Sequence, residues 1–444
     1  MAVILRELDL GMFHSKKSST NSLLGLLINP QFVVFSLSVI FSQIAANMLS
    51  IVLIVLTYRL TNSNFAVSIL VMTFLLPQVF FSFLGGIIAD AKNKRKILLF
   101  GNIARAAILI LFFFVKDTLA FIYIFMLVIA LVTQFYIPAE APIIPHLVKK
   151  KQLLAANAIF GVCLFGSILV GYVAAGPAMR IFGSSGVFLF MAGLFAAAFF
   201  CIMLMPDVAP SVKKLRTEKT FVANFIHLYR LVWKEFREII KVLKAKRNVT
   251  SSLLFLALSQ VIILVLATIV PDYAQKTLRI PSEDISLVIF APAALGMLIS
   301  SFIIGSKFTK SNHERIINVG IFLSSIVLFL FAVIDLQHYF GLVFLSLFIT
   351  LIAGIANACI FIPAQTIVQS NVSHKSLSKV FGLLYLVVGV LAFVPIILTG
   401  VFADVLGVRA VLIGIGSLLF ILGIVKIFFR KNNERIIAGL MEKP

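Results

Sequence analysis

Apolar segments of about 20 residues, separated by short polar connections, run through most of this chain. That is the length an α-helix needs to cross the hydrocarbon of a bilayer. The pattern predicts an all-α membrane protein with twelve transmembrane helices. The predicted spans are 32–57, 65–89, 97–115, 119–139, 156–179, 185–205, 251–271, 285–306, 316–334, 340–363, 379–403 and 408–429.

A short motif occurs twice and divides the chain into two halves. The letters YIPAEA at 136–141 return as FIPAQT at 361–366, each time at the end of the fourth apolar segment of a half. The repeat predicts two six-helix pseudo-repeats, with Pro138 and Pro363 as candidate repeat hinges. Duplicated membrane bundles of this kind place a substrate site between their halves, so the repeat favours a transporter. The predicted parts are an N-terminal cytoplasmic segment (1–30), two six-helix bundles (31–205 and 251–430), a cytoplasmic linker (206–250) and a cytoplasmic tail (431–444).

The linker contains a second kind of pattern. Between Phe221 and Leu243 apolar residues recur in steps of three and four, with basic residues mainly off that stripe. This spacing predicts an amphipathic helix lying on the inner membrane surface. A helix that only tethers the two halves is an equally good interpretation.

Composition and charge placement support the membrane assignment. Hydrophobic residues make up 61% of the chain and charged residues only 12%, a balance that a soluble fold cannot bury. With both termini cytoplasmic, the cytoplasmic side receives 31 of the 38 Lys and Arg residues, the asymmetry of the positive-inside rule. We therefore interpret the net charge of +21 as setting orientation in a plasma membrane (a bacterial inner membrane) and contacting anionic lipid headgroups, with no nucleic acid as partner. Residues 1–28 lack a long apolar stretch with a cleavage site, so the first span is expected to be its own insertion signal.

Cysteine and histidine placement argues against chemistry at a fixed site. Cys163, Cys201 and Cys359 fall in apolar spans without close spacing, and all six His residues lie outside the spans. We expect no disulfide framework, no metal site and no cofactor. An intramembrane enzyme would need paired carboxylates, a buried His or an activated nucleophile within the spans, so we expect no catalytic residues and no enzyme activity.

The connection between spans two and three reads GGIIADAKNKRK at 85–96. It resembles the signature loop of the major facilitator superfamily, a Gly-x-x-x-Asp stretch that ends in basic residues. The resemblance implies the major facilitator fold and a conformational latch on the cytoplasmic side, which by position would use Gly86, Asp90, Lys94 and Arg95. The sequence departs from the family pattern at Ala91, where a basic residue is frequent, and at Asn93, where Gly is usual.

A longer stretch, 138–158, together with Arg105 and the segment Gly400–Asp404, is similar to the drug:proton antiporter branch that includes macrolide and siderophore exporters. This implies a monomeric secondary active transporter that works by alternating access and exports amphipathic small molecules in exchange for protons. Two features depart from that branch. Asn47 stands where many members have an acidic residue, and span four lacks the Arg associated with proton coupling.

Arg105 and Glu140 form a candidate coupling pair. A charge near the middle of a bilayer costs about 2.5–3.5 kcal/mol, so Arg105 needs a partner or a wet cavity. Glu140, near the cytoplasmic end of span four, is the nearest carboxylate expected in a neighbouring helix. The alternative is that Arg105 extends toward the inner surface and needs no partner.

Polar residues inside the spans form a candidate substrate cavity. The resemblance implies that spans one, four, seven and ten surround the cavity, which would be polar but uncharged. Hydrogen bonding between helices is the alternative role for each residue. The candidates are Gln43, Asn47, Gln134, Gln260 and Asn357.

Two other functions remain open at the level of sequence. Related proteins that share the Pro-Ala turn move lysophospholipids, so a lipid flippase is the main alternative to export of drug-like or siderophore-like molecules. A non-transporting membrane receptor or scaffold would leave the duplication and the signature loop without a purpose.

Overall fold

The computed structural model describes most of the chain between its termini. The described residues are 25–26, 28–115, 118–149, 152–207, 247–281, 283–307, 313–333, 341–371 and 374–441. The predicted amphipathic helix of the linker lies outside them.

Helices account for nearly all of the described residues. The α-helices are α1 (Pro30–Thr61), α2 (Asn64–Ala91), α3 (Lys94–Val115), α4 (Leu119–Glu140), α5 (Ile144–Leu147), α6 (Leu153–Met203), α7 (Arg247–Asp272), α8 (Ala291–Lys307), α9 (His313–Val333), α10 (Gly341–Asn371), α11 (His374–Leu406) and α12 (Val408–Met441). A 3₁₀ turn at Ala141–Ile143 joins α4 to α5, and π-helical turns occupy Tyr273–Thr277 and Ser286–Phe290.

The described residues contain ten helices long and apolar enough to cross a membrane, against twelve predicted spans. The difference has two sources. Predicted spans five and six are both present as the two parts of α6, which are separated by a kink at Gly183, where φ is 72° and ψ is 173°. Predicted span eight is a shorter apolar helix over Ser286–Ser301. The elements therefore keep the order expected of two six-helix halves.

The turn between α1 and α2 is built by local side chains. Asn62 ends α1 in the left-handed region (φ 48°), which Asn tolerates better than most residues. Ser63 then caps α2, its Oγ accepting a hydrogen bond from the Ala66 N–H at 3.3 Å. As a result, the first turn of α2 faces the second half of the chain.

The two halves have separate hydrophobic cores that meet along α2. Val67 and Leu70 pack in a core built mostly from residues 45–195. Val71, Met72 and Leu75 pack in a core built mostly from residues 249–419. Because α2 contributes to both cores, it is the main apolar contact between the halves, and its partner there is α11.

The bundle has two ends that differ in the connections they carry. The Asn64 end carries the α1–α2, α7–α8 and α11–α12 connections. The basic end carries the α2–α3 connection, with Lys92, Lys94, Arg95 and Lys96.

Helices α8 and α10 cross at a pair of glycines. A Cβ added at Gly354 would lie 1.9 Å from the Ala293 carbonyl oxygen, and one added at Gly296 would lie 2.0 Å from the Leu351 carbonyl oxygen. Only glycine permits this backbone approach, which is the usual way membrane helices pack closely.

We predict that Gly354→Ala lowers the melting temperature of the purified protein, because the new methyl group overpacks the crossing by about 1–3 kcal/mol. Gly193→Ala is the matched control, since nothing lies within 4 Å of a Cβ at that helical position. It should be neutral or stabilising by about 0.5–1 kcal/mol. Equal melting temperatures for the two variants would contradict the close crossing.

Candidate functional site

The Asn64 side chain joins the two halves at one end of the bundle. Its Nδ2 donates to Asp272 Oδ2 of α7 at 2.7 Å and to Asp404 Oδ1 of α11 at 2.9 Å. Asn64 and Asp272 are both buried, with 0% and 2% of their surface exposed. One amide group therefore satisfies two carboxylates that would otherwise repel each other.

Asp404 also caps helix α2 from the opposite half. Its Oδ1 accepts the Asn64 N–H at 2.7 Å, and its Oδ2 accepts the Phe65 N–H at 3.1 Å and the Ser63 hydroxyl at 2.6 Å. These amides are among the first-turn donors that have no partner within a helix, and the helix dipole there favours negative charge. Both carboxylate oxygens accept hydrogen bonds, so this contact favours the ionised form.

Asp272 is held by donors from both halves. Its Oδ1 accepts the Tyr58 hydroxyl of α1 at 2.6 Å and lies 2.9 Å from the Lys276 ammonium. A buried carboxylate with these partners is stable only while they stay in place, because breaking such a pair costs about 3–5 kcal/mol. Movement of α1 and α2 away from α7 would remove two of these three partners, the Tyr58 hydroxyl and the Asn64 amide.

The α7–α8 connection adds two ion pairs across the same interface. Arg59 of α1 pairs with Glu283, and Arg180 of α6 pairs with Asp284. Burial raises the pKa of the Glu283 carboxyl, but the Arg59 hydrogen bond, a backbone hydrogen bond and the charges of Arg59 and Arg180 together lower it by more, so the pKa lies below its ordinary value. The pair thus supports closure at neutral pH, and its contribution is lost as the pH falls through that lowered pKa.

The α7–α8 connection also fits tightly against α6. The Gly176 N–H donates to Ser286 Oγ at 2.9 Å, and a Cβ at Gly176 would lie 1.9 Å from the Glu283 carbonyl oxygen. A π-helical turn flanks the connection on each side. Such turns are rare and concentrate at functional sites. Together with the Asn64 contacts, this seals the Asn64 end.

A second polar cluster lies inside the first half, around Arg105 of α3. The guanidinium carbon is 3.9 Å from the centre of the Tyr136 ring and 4.5 Å from that of Phe195. Its Nη2 donates to Asn102 Oδ1 at 2.9 Å and to Ser42 Oγ at 3.2 Å, and its Nε donates to the Gly101 carbonyl at 3.0 Å. Only 2% of Arg105 is exposed, so the snorkelling alternative does not describe this conformation.

Glu140 lies beside this cluster without a direct ion pair to Arg105 in the part of the chain that the structure describes. It follows Tyr136 by one helical turn and accepts a hydrogen bond at Oε2 from Gln43 Nε2 of α1, at 3.1 Å. Glu140 is 3% exposed and its Oε1 lacks a hydrogen-bond partner, as do Tyr136 Oη and Asn102 Nδ2. Three unpaired buried polar atoms within one cluster are unusual, and such groups call for a functional explanation.

The candidate latch residues are only partly described. Gly86 and Asp90 lie within helix α2, and the structure describes only the backbone of these two residues. Lys94 is fully buried at the start of α3. Arg95 binds within its own half: it donates to the Ile202 and Met203 carbonyls at the end of α6 and pairs with Asp207 at 2.8 Å. The hydrogen bond from Arg95 holds the pKa of the Asp207 carboxyl below its ordinary value.

The candidate cavity residues mostly bind backbone in this conformation. Asn47 donates to the Gln43 carbonyl and Gln134 to the Ala130 carbonyl, each one turn back on its own helix. Asn357 donates across to the Ser259 carbonyl of α7 at 3.2 Å, and its Oδ1 lacks a partner. Gln260 is half-buried. Gln43 is the member of this set that contacts a charged side chain, Glu140.

The candidate hinges Pro138 and Pro363 both lie inside helices, but in unequal settings. Helix α4 ends soon after Pro138, at Glu140, whereas α10 continues past Pro363 to Asn371.

Sequence reasoning did not identify the contact at the Asn64 end. Asp272 and Asp404 lie close to the ends of predicted spans, but nothing in the sequence marks Asn64 as their shared partner. A signal was available: Asn64 directly follows the capping Ser63 at the start of a span, where backbone donors are free to bind a carboxylate.

The family model described as Major Facilitator Superfamily matches residues 35–394. The chain therefore belongs to this superfamily. It is also similar to the "uncharacterized MFS-type transporter YfiS" of Bacillus subtilis (strain 168), with 23% identity over 393 residues, covering 86% of this chain and 89% of that protein. These matches do not single out the drug:proton antiporter branch.

Solved structures share the fold at low identity. A POT family transporter in complex with a thioalcohol-conjugated peptide has a TM-score of 0.71 at 14% identity, covering 90% of this chain and 96% of its own. The nucleoside transporter NupG has a TM-score of 0.67 at 12% identity, with 89% and 98% covered. A bacterial homologue of the human lysosomal transporter Spinster, in an inward-facing conformation, has a TM-score of 0.63 at 13% identity, with 92% and 96% covered. The fold is therefore that of membrane transporters.

We predict that Asn64→Asp opens the Asn64 end. The substitution replaces the shared donor with a third carboxylate, which should weaken closure by at least about 3 kcal/mol, or about 100-fold in the closed-to-open ratio. The readout is the maleimide labelling rate of a Ser68→Cys reporter, because Ser68 is fully buried beneath the contact. Asn248→Asp, at an exposed site on the basic end, is the matched control. If both substitutions leave the labelling rate unchanged, the Asn64 contact does not hold this end closed.

Proposed function

We propose that the chain is a secondary active transporter that works by alternating access, exporting amphipathic small molecules of the drug or siderophore class in exchange for protons. The observation that supports this most directly is the position of the polar contacts identified between the halves. They gather at the Asn64 end, around Asn64, Arg59 and Arg180. Two halves with separate cores, joined by polar contacts at one end, can exchange which end is closed without unfolding either core.

The distribution of basic residues indicates how the protein is oriented in the membrane. The connections at the basic end carry most of the Lys and Arg residues, which orients that end toward the cytoplasm of a bacterial inner membrane, with both termini there. The Asn64 end is then the outer side. Contacts that close the outer side are those expected of an inward-facing state, and we assign the structure to that state.

Glu140 is the residue we assign to proton coupling. Gln43 is half-buried on α1 and binds Glu140, so it connects the carboxyl to the space between the halves. Arg105 packs against Tyr136, which lies one helical turn before Glu140. The positive charge of Arg105 favours the ionised form of the Glu140 carboxyl, while burial of that carboxyl disfavours it. A carboxyl held between these influences can gain or lose a proton when small movements change either one. Gln43, Asn47 and Asn357 are the cavity residues we assign to substrate contact.

The alternating-access part predicts that locking the Asn64 end stops transport. Arg59→Cys/Glu283→Cys, in a background lacking the three native cysteines, should lose export activity in proteoliposomes when joined by a short thiol cross-linker, and a cleavable linker should restore it on reduction. The control pair, Ser38→Cys/Ala198→Cys, joins α1 to α6 within one half, where Ser38 Oγ already contacts the Ala198 carbonyl at 3.0 Å. Full activity in the locked Arg59/Glu283 protein would contradict alternating access.

If Glu140 couples transport to protons, Glu140→Gln should still bind substrate but should no longer use a pH difference to accumulate it. A ligand is first found by a thermal-shift screen of drugs, siderophores and lysophospholipids, since a ligand that binds the folded form raises its melting temperature. The variant should keep this shift and carry out exchange, but fail to accumulate substrate against a gradient driven by a pH difference.

Glu314→Gln, at an exposed carboxyl on the basic end, is the control and should accumulate substrate normally. If Glu140→Gln accumulates substrate normally under a pH difference, Glu140 is not the residue that couples transport to protons. A thermal shift with lysophospholipids alone would favour lipid flipping over drug export.

A further inference from the structure

The contact between Asp404 and the first turn of α2 differs from the ion pairs around it. Each Asp404 oxygen accepts two hydrogen bonds, and all of the donors belong to Ser63, Asn64 and Phe65 of the opposite half. Protonation removes the charge that strengthens these four hydrogen bonds and that interacts favourably with the N-terminus of α2. The closed end therefore binds the carboxylate form of Asp404 more tightly than the protonated form.

Asp404 is also accessible to solvent, whereas Asp272 is not. It belongs to the exposed residues at the end of α11, whereas Asp272 is 2% exposed beneath Asn64. Asp272 in addition has the Lys276 ammonium at 2.9 Å. A proton arriving from solution at this end meets Asp404 first.

The charged and titratable groups around Asp404 come from four elements. Helix α1 presents Tyr58 and Arg59, the end of α7 and the turn after it present Asp272 and Lys276, the α7–α8 connection presents Glu283, and the first turn of α12 presents Arg409. The start of α2 presents uncharged donors, from Ser63, Asn64 and Phe65. These donors bind two carboxylates, of Asp272 and Asp404, and Asp404 is the exposed one.

We propose that Asp404 is a proton-binding site that controls opening of the Asn64 end. Closure selects the carboxylate, so opening is linked to proton uptake, and acidification at this end shifts the population toward the open form. Protonation removes the cap of α2 and leaves Asn64 with one carboxylate partner in place of two. The proposal uses the alternating-access movement proposed above, but it concerns a site in a different half from Glu140.

The test measures opening directly and does not measure transport. Spin labels at Leu60→Cys and Ala410→Cys, both exposed positions at the ends of α1 and α12, report the distance across the Asn64 end by pulsed electron paramagnetic resonance. The full-length protein is measured in nanodiscs from about pH 8 to about pH 4, which brackets the ordinary carboxyl values. Glu283→Gln and Asp284→Asn are added to the background so that the two ion pairs no longer titrate.

In that background the distance should increase on acidification, and adding Asp404→Asn should give an open-like distance that no longer depends on pH. Ser63→Ala is a milder variant that removes one donor from Oδ2. The closed form then holds the carboxylate less firmly, so the midpoint of opening should shift to higher pH. This variant keeps the test valid if Asp404→Asn fails to fold.

Three results would overturn the proposal: no distance change with pH in the background protein, an unchanged pH response after Asp404→Asn, or an unshifted midpoint in Ser63→Ala. A response that disappears with Asp272→Asn but survives Asp404→Asn would assign the proton to Asp272 and overturn it as well. None of these results bears on transport by locked or Glu140-substituted protein, so the proposed function stands or fails separately.

Discussion

The constraint on which the structure depends is that a buried carboxylate must keep its donors. At the Asn64 end two carboxylates from one half are satisfied by one amide and one helix terminus from the other. Asp272 is buried, and leaving a buried charge without its partners costs several kcal/mol. Asp404 is exposed and contributes through its four hydrogen bonds to α2. In our proposal the two cores keep each half intact, and this polar contact biases which end is closed.

The same chemistry appears inside the first half with a different outcome. Arg105 packs against aromatic rings and donates to hydrogen-bond acceptors, whereas Glu140 accepts one hydrogen bond from Gln43 and has one oxygen without a partner. Because the carboxyl is the less satisfied of the two groups, it is the one we propose to change its protonation state. We therefore propose separate roles for the two acidic sites: Asp404 responds at the Asn64 end, and Glu140 responds inside the first half.

The sequence alone predicted the helical membrane fold, the order of its elements and the superfamily, because span length, duplication and the loop at 85–96 are local patterns. It also predicted spans five and six as separate segments, and in the structure the non-helical backbone of Gly183 separates them. It predicted that Arg105 and Glu140 lie in the same region, but it did not predict the contact between Arg105 and the Tyr136 ring. The Asn64 contact joins residues more than 200 positions apart, and no periodicity or motif encodes such a pairing.

The central claim is that two rigid halves exchange which end is closed. Its most direct test follows two distances in one ligand titration of the protein in nanodiscs: Leu60 to Ala410 across the Asn64 end, and Lys96 to Asn371 across the basic end, each with paired spin labels. The account predicts opposite changes, with one distance lengthening as the other shortens, while distances within each half stay constant. Distances that lengthen together, or that change within a half, would contradict it.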